Sequence, residues 1–168
     1  MPGFANPLET WNARFAGDDY LFGEEPNDFV QREAPRLPRG ATVLCVADGE
    51  GRNSVWLAQQ GHAVTAFDFA PNAVAKAKRL AAMRGVTVDH QLGDVYDWPW
   101  TAAQYDAVVV VFIQFVPPEE RAAVFAGLRA ANACCACSTA ASPGAANTGA
   151  ADNAPSRKNM IIRSMARG

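Results

Sequence analysis

With 168 residues, of which 49% are hydrophobic and 19% charged, the chain has the size and composition of one globular domain with its own core. A formal net charge of -2 leaves no basic excess to displace counterions, which argues against nucleic acid as a main partner. No apolar run approaches the roughly 20 residues of a membrane helix, and the N-terminal stretch lacks the basic head and apolar run of a secretion signal.

Leu8, Trp11 and Phe15 recur at helical spacing and predict a short amphipathic helix over residues 7–17. Turn residues in "GDDYLFGEEPNDF" interrupt it, and Asn27 or Asp28 caps a second helix that runs to about Ala34. From Ala41 the rhythm changes. "ATVLCVA" is a short apolar run of the kind buried on both faces of a parallel sheet. "SVWLAQQG" reads as a helix closed by Gly61, "AVTAFDF" as a second strand, and "PNAVAKAKRLAAMRG" as an amphipathic helix with Pro71 in its first turn. "VTVDHQLGD" and "YDAVVVVFIQF" supply two more strands, and a further helix starts near Pro118. Strands alternating with helices at these lengths predict βαβ units: an α/β, Rossmann-like, doubly wound and mostly parallel sheet with helices on both faces.

Beyond Ala131 the pattern fails. Residues 132–168 are small, polar and aperiodic, with "ACCACSTA" open between a weak strand and a loop. The expected organisation is therefore a helical lid segment at 1–40, a cofactor-binding core at 41–131 and an atypical tail at 132–168, all in one domain whose C-terminal part is incomplete. The cysteines at 134, 135 and 137 suit neither a disulfide framework nor zinc spacing, and His62 and His90 lie far upstream. The expectation is a reducing cytoplasm and no metal.

The informative stretch is Ala47-Asp48-Gly49-Glu50-Gly51-Arg52-Asn53, between the first strand and its helix. Ligands of open parallel sheets bind beyond the carboxyl ends of the strands, at this place. Gly49 and Gly51 remove side chains from a close approach, and the helix entrance adds amides together with Arg52 and Asn53. A dinucleotide fingerprint would continue to a third small residue, and Ser54 is a borderline fit. Asp48 and Glu50 would repel a pyrophosphate but suit a positive amino or sulfonium group, which favours S-adenosylmethionine. Asp68 ends the second strand, where an acid can hold a ribose or, alternatively, cap the next helix. Asp94 ends the third; it can reach an adenine edge, with the Val95 amide, or form an Asx turn.

Taken together, "WNARFAGDDYLFGEEPNDF", "LCVADGEGRNSVWLAQQGHAVTAFDFAPNAV" and "GDVYDW" with "YDAVVVVFIQF" resemble the class I S-adenosylmethionine-dependent methyltransferases, in particular the small bacterial branch of tellurite-resistance-type enzymes. The likeness covers roughly residues 8–131. It implies that Asp48, Gly49, Glu50 and Gly51 wrap the methionine part of the cofactor, with Arg52 and Asn53 beside them. It implies Asp68 and Phe69 at the ribose, and Asp94 and Val95 at the adenine. Phe112 and Gln114 would face the methyl group and its acceptor. Trp11, Tyr20, Phe22 and Gly23 would form a lid, or pack as plain core. Arg14 is open between an acidic acceptor and a surface pair with Asp18 or Asp19. The chain departs from the family in having Ala47 for the first glycine, Cys45 for an upstream acid, and an unfamiliar tail.

The implied activity is methyl transfer to a small-molecule acceptor by in-line displacement, which needs positioning and no dedicated base. The rivals are a cofactor-binding remnant, truncated or frameshifted, with an unpaired edge strand, and a nicotinamide-dependent reductase. The reductase would need a catalytic Tyr-Lys or His near the fourth strand, and "VFIQFVPPEER" offers none.

Overall fold

The computed structural model describes residues 6–111, 116–132 and 160–164. Five parallel strands lie in the order β3-β2-β1-β4-β5: β1 Thr42–Val46, β2 Ala63–Asp68, β3 Asp89–Leu92, β4 Ala107–Val111 and β5 Met160–Ser164. The switch in strand order falls between β1 and β4, so their carboxyl ends open a crevice beside the glycine turn.

Alternation along β1 and β4 divides the core into two faces. Val43, Cys45, Val109 and Val111 pack with Val30, Leu37 and Leu57, under α2 (Asp28–Glu33) and α3 (Arg52–Gln59). Leu44, Val46, Val108 and Val110 pack on the opposite face against Val124 and Leu128 of α5 (Arg121–Ala131). β4 is buried along its whole length, as a central parallel strand must be. α4 (Pro71–Met83) lies against β2, β3 and α3.

The N-terminal segment is fastened to this core. α1 (Pro7–Arg14) is capped by the Asn6 side chain, which accepts from the Glu9 N–H, and it ends earlier than its apolar spacing predicts. The Asn72 N–H donates to Asn12 Oδ1, and the Asn72 side-chain amide donates to the Asn12 carbonyl, both at 2.9 Å. Asn27, one of the two candidate caps, accepts from the Phe29 N–H at the start of α2. A 3-10 turn, Ala34–Arg36, then leads into β1.

The unpaired edge that the remnant reading would leave at β4 is filled by β5. Ile161 and Ile162 of the terminal apolar patch pair with Val108 and Val109, giving β4 a parallel neighbour on its outer side. "ACCACSTA", Phe112 and Gln114 lie outside the described residues. Among the described residues no helix is long and apolar enough to cross a membrane.

Candidate functional site

The turn after β1 is built from left-handed backbone. Ala47, Gly49 and Gly51 have φ of 50°, 64° and 90°. Ala47 adopts there the conformation that glycine favours, which explains why related turns begin with glycine. The turn is stitched to the end of β2: the Asp48 N–H donates to the Phe67 carbonyl at 3.1 Å, and the Gly49 N–H to Asp68 Oδ2 at 2.9 Å. Asp68 Oδ1 accepts from the Ala70 N–H at 2.9 Å, ahead of α4. Asp68 thus forms an Asx turn ahead of α4, whose N-cap is Ala70 and carries no side-chain cap, and it borders the crevice as well.

The two glycines differ in purpose. A Cβ on Gly49 would have as its nearest contact Phe15 Cζ at 3.9 Å, so this position is open to a ligand. A Cβ on Gly51 would lie 2.8 Å from the Ala77 Cβ, so its bareness lets the turn rest on α4. For Gly51 the close approach that the missing side chain allows is that of α4.

Above the turn is a cleft of about 670 Å³. Asp48, Gly49, Arg52, Asn53, Asp68 and Phe69 line it, with Trp11 and Phe22 from the N-terminal segment. Ala47 of the turn lines it too, as do Phe15, Cys45, Val46, Val109 and Val111; sequence reasoning missed these last five, although Phe15 shares a helix face with Trp11 at i, i+4. The aromatic rings form a cluster, with Trp11–Phe15 stacked at 5.7 Å and Phe15–Phe22 edge-on at 6.5 Å. Arg52 lies beneath Phe22, donates to its carbonyl at 3.0 Å and is the cation of this lining. The Asn27 N–H donates to Asn53 Oδ1, so α3 also anchors the segment before α2. A second cleft of about 900 Å³ adjoins the first across Ala47 and Phe69 and is bordered by Asp94, Val95, Tyr96 and Leu8. Asp94 does form an Asx turn, accepting from the Tyr96 N–H at 3.1 Å.

Besides Gly51, three predicted residues stand apart from both clefts. Glu50 is buried, accepts from the Leu21 N–H at 2.7 Å and pairs with Lys76, so it anchors the N-terminal segment. Tyr20 packs beside Val55 and Leu80 and donates to the Lys76 carbonyl. Gly23, with φ 72°, closes a turn on Tyr20. Arg14 lies over the Trp11 ring at 4.5 Å, and among the described residues no ion pair joins it to Asp18 or Asp19.

Behind the turn is a group of polar side chains whose association the sequence pattern concealed. Ser54 Oγ donates to Asp48 Oδ2 at 2.5 Å and lies 3.2 Å from His90 Nε2. Burial pushes the Asp48 carboxyl up to about 6, against the Ser54 hydrogen bond, while neighbouring Asp68 adds to the rise. Burial also raises Asp68, against the amides of Ala70 and Gly49. His90 is pushed down to about 4, by burial first and then by Lys78.

Residues 43–132 match the methyltransferase domain family. The chain belongs to that family. An uncharacterised protein of Mycobacterium tuberculosis is 34% identical over 52% of this chain and 32% of its own length. A ubiquinone biosynthesis O-methyltransferase of Methylocella silvestris is 34% identical over 48% of this chain and 31% of its own. The chain thus spans about a third of the length of these curated relatives. Among solved structures, a TehB-like SAM-dependent methyltransferase from Corynebacterium glutamicum superposes with a TM-score of 0.56 at 21% identity, covering 74% of this chain and 64% of that one. A methyltransferase from Thiobacillus denitrificans, in complex with S-adenosyl-L-homocysteine, gives 0.55 at 18%, over 73% of this chain and 51% of that one. These two likenesses carry the fold. For the methyltransferase domain the fold is the Rossmann-like sheet described above.

Proposed function

We propose that the domain binds S-adenosylmethionine in the two adjoining clefts and transfers its methyl group to a small-molecule acceptor. The observation that carries this reading is the pair of carboxylates, Asp48 and Asp68, bordering an otherwise largely apolar and aromatic cleft on either side of the open Gly49 position. Asp48 Oδ1 is buried and has no hydrogen-bond partner among the described residues. A buried acceptor of this kind fits a cationic ligand group and repels a pyrophosphate.

When bound, S-adenosylmethionine supplies a methyl group activated by its sulfonium centre. The protein's part is to place it. Asp48, with Gly49 and the first residues of α3, faces the charged methionine end, where Arg52 balances a carboxylate. Asp68 keeps lone pairs for ribose hydroxyls beside the two amides it already accepts. Asp94 and Val95 border the second cleft, which suits a nucleobase. Trp11, Phe15 and Phe22 roof the first cleft and exclude water, and their faces favour a cation. Phe112 and Gln114 would follow β4 towards the acceptor. Catalysis by positioning accords with a buried, neutral His90.

Calorimetric titration of the full chain with S-adenosylmethionine and, separately, with NADH tests the reading. Micromolar binding of the first alone, lost in Asp68→Ala, is the expected result. A folded chain that binds neither, or binds only NADH, overturns it.

A further inference from the structure

Three groups on three elements meet behind the glycine turn: Asp48 after β1, Ser54 on α3 and His90 on β3. Their side chains are shut away from water, Asp48 and His90 each with 3% of the side chain exposed. The proton positions follow from chemistry. An ionised carboxylate only accepts, and Asp48 Oδ2 at 2.5 Å is nearer than the Gly51 carbonyl at 3.2 Å, so the Ser54 hydroxyl proton is directed at Asp48 Oδ2. Ser54 Oγ is then an acceptor towards the ring, which fixes the neutral His90 tautomer with its proton on Nε2. That leaves His90 Nδ1 a bare lone pair, and Nδ1 has no partner among the described residues. On the carboxylate, Oδ2 is occupied by Ser54 while Oδ1 is unpartnered.

We propose that Ser54 and His90 are positioning residues that hold Asp48 as an ionised acceptor at the cleft, so that binding of a cationic ligand there is linked to one proton on Asp48. This rests on the reading that the cleft takes S-adenosylmethionine. Protonating Asp48 reverses the hydrogen-bond direction along Ser54 and removes the charge that faces the ligand. The groups around Asp48 are few. Arg52 on α3 favours its ionised form and Asp68 on β2 opposes it. Cys45 on β1 lies behind it, its thiol pushed up by burial and by Asp48. α4 presents only Val74 and Ala77 to the small space shared by Asp48 and His90. His90 is itself influenced by Lys78 and Asp89, and its lowered pKa keeps the ring neutral above pH 5.

The test is calorimetric titration of the full chain with S-adenosylmethionine from pH 5 to 8, with the fold of each variant checked by circular dichroism at the same pH. For one proton with a midpoint near 6, wild-type affinity at pH 5 falls about tenfold below its value at pH 7.5. Asp48→Asn binds weakly and without that slope. Ser54→Ala removes a bond that favours the ionised form and moves the midpoint up. His90→Gln, which keeps an N–H donor, leaves the midpoint in place, and His90→Leu moves it up. Should the chain bind at pH 7.5 with a flat profile, or with a midpoint that Ser54→Ala does not move, the proposal fails while the cofactor reading stands. Should the folded chain bind at no pH, both fail.

Discussion

Lys76 Nζ lies 2.5 Å from Glu50 Oε1, with 7% and 3% of the two side chains exposed. The contact is an ion pair by distance, without the angle of a hydrogen bond. Both partners also reach the N-terminal segment: Glu50 Oε2 accepts from the Leu21 N–H, and Lys76 donates to the Asp19 carbonyl. One buried pair therefore joins the glycine turn, α4 and the segment that carries Phe22. Removing one member strands a buried charge, which costs about 3–5 kcal/mol. Lys76→Met is expected to lower the thermal midpoint sharply and to weaken S-adenosylmethionine binding by loosening the aromatic roof. Glu50→Gln/Lys76→Met should recover part of the stability. Thermal denaturation of the two single variants and the double variant decides this, and additive losses would show the pair is not coupled.

Gly49 and Gly51 provide a separate pair of expectations. Gly51→Ala meets two penalties, a left-handed φ of 90° and Ala77 at 2.8 Å, and should destabilise the fold by roughly 2–4 kcal/mol. Gly49→Ala meets only the first, about 1–2 kcal/mol, because its Cβ enters open space. Its larger effect should be on ligand affinity. Denaturant unfolding and calorimetry on both variants separate the roles; equal loss of binding at equal stability would contradict the assignment.

The elements of this domain were legible where burial and period agree. The uniformly buried β4 reads as a central strand, and the glycine turn with Asp68 reads as a ligand crevice, because few folds need those residues in that order. The role of Glu50 was not legible, since a carboxylate beside glycine looks the same whether it faces a cleft or a lysine 26 positions along the chain, Lys76. His90 was hidden for a related reason. Its neighbours Cys45 and Ala66 are fixed by strand register, and its partner Ser54 by the start of α3, so only the assembled sheet unites them. β5 was missed because Met160–Ser164 has no strong alternation to mark it, and pairing with β4 decides its conformation.

Asp48 and His90 pull stability in opposite directions with pH. The native Asp48 pKa is raised to about 6 from 3.8, so the native state holds the extra proton between those values, and stability falls as pH rises through that window. The native His90 pKa is lowered to about 4 from 6.5, so the unfolded state holds the extra proton, and stability falls as pH drops from 6.5 to 4. Between pH 4 and 6 the two slopes cancel. Each single variant should unmask the other: relative to wild type, Asp48→Asn gains a stability that rises with pH, and His90→Gln one that falls. Thermal midpoints at several pH values from 4 to 7 check both signs. At pH 7 removing the buried Asp48 charge should stabilise the fold by about 1–3 kcal/mol, even as it weakens ligand binding.

Gly127 offers a prediction whose sign runs against helix propensity. It lies inside α5, where replacing glycine by alanine ordinarily stabilises by about 1 kcal/mol. Here a Cβ would fall 2.6 Å from Trp100 Cδ1 and 2.7 Å from two further atoms of the indole. Trp100 in turn stands edge-on to Phe67, 6.2 Å away, and Phe67 stacks on Trp98 at 3.8 Å. The indole packs edge-on against this core group, which resists its retreat, so the overlap outweighs the gain in helix propensity. Gly127→Ala should therefore destabilise by roughly 1–3 kcal/mol, and Trp100→Leu in the same chain should relieve the overlap. Tryptophan fluorescence and thermal denaturation of the single and double variants measure it. A stabilised Gly127→Ala would mean that α5 shifts freely over the sheet.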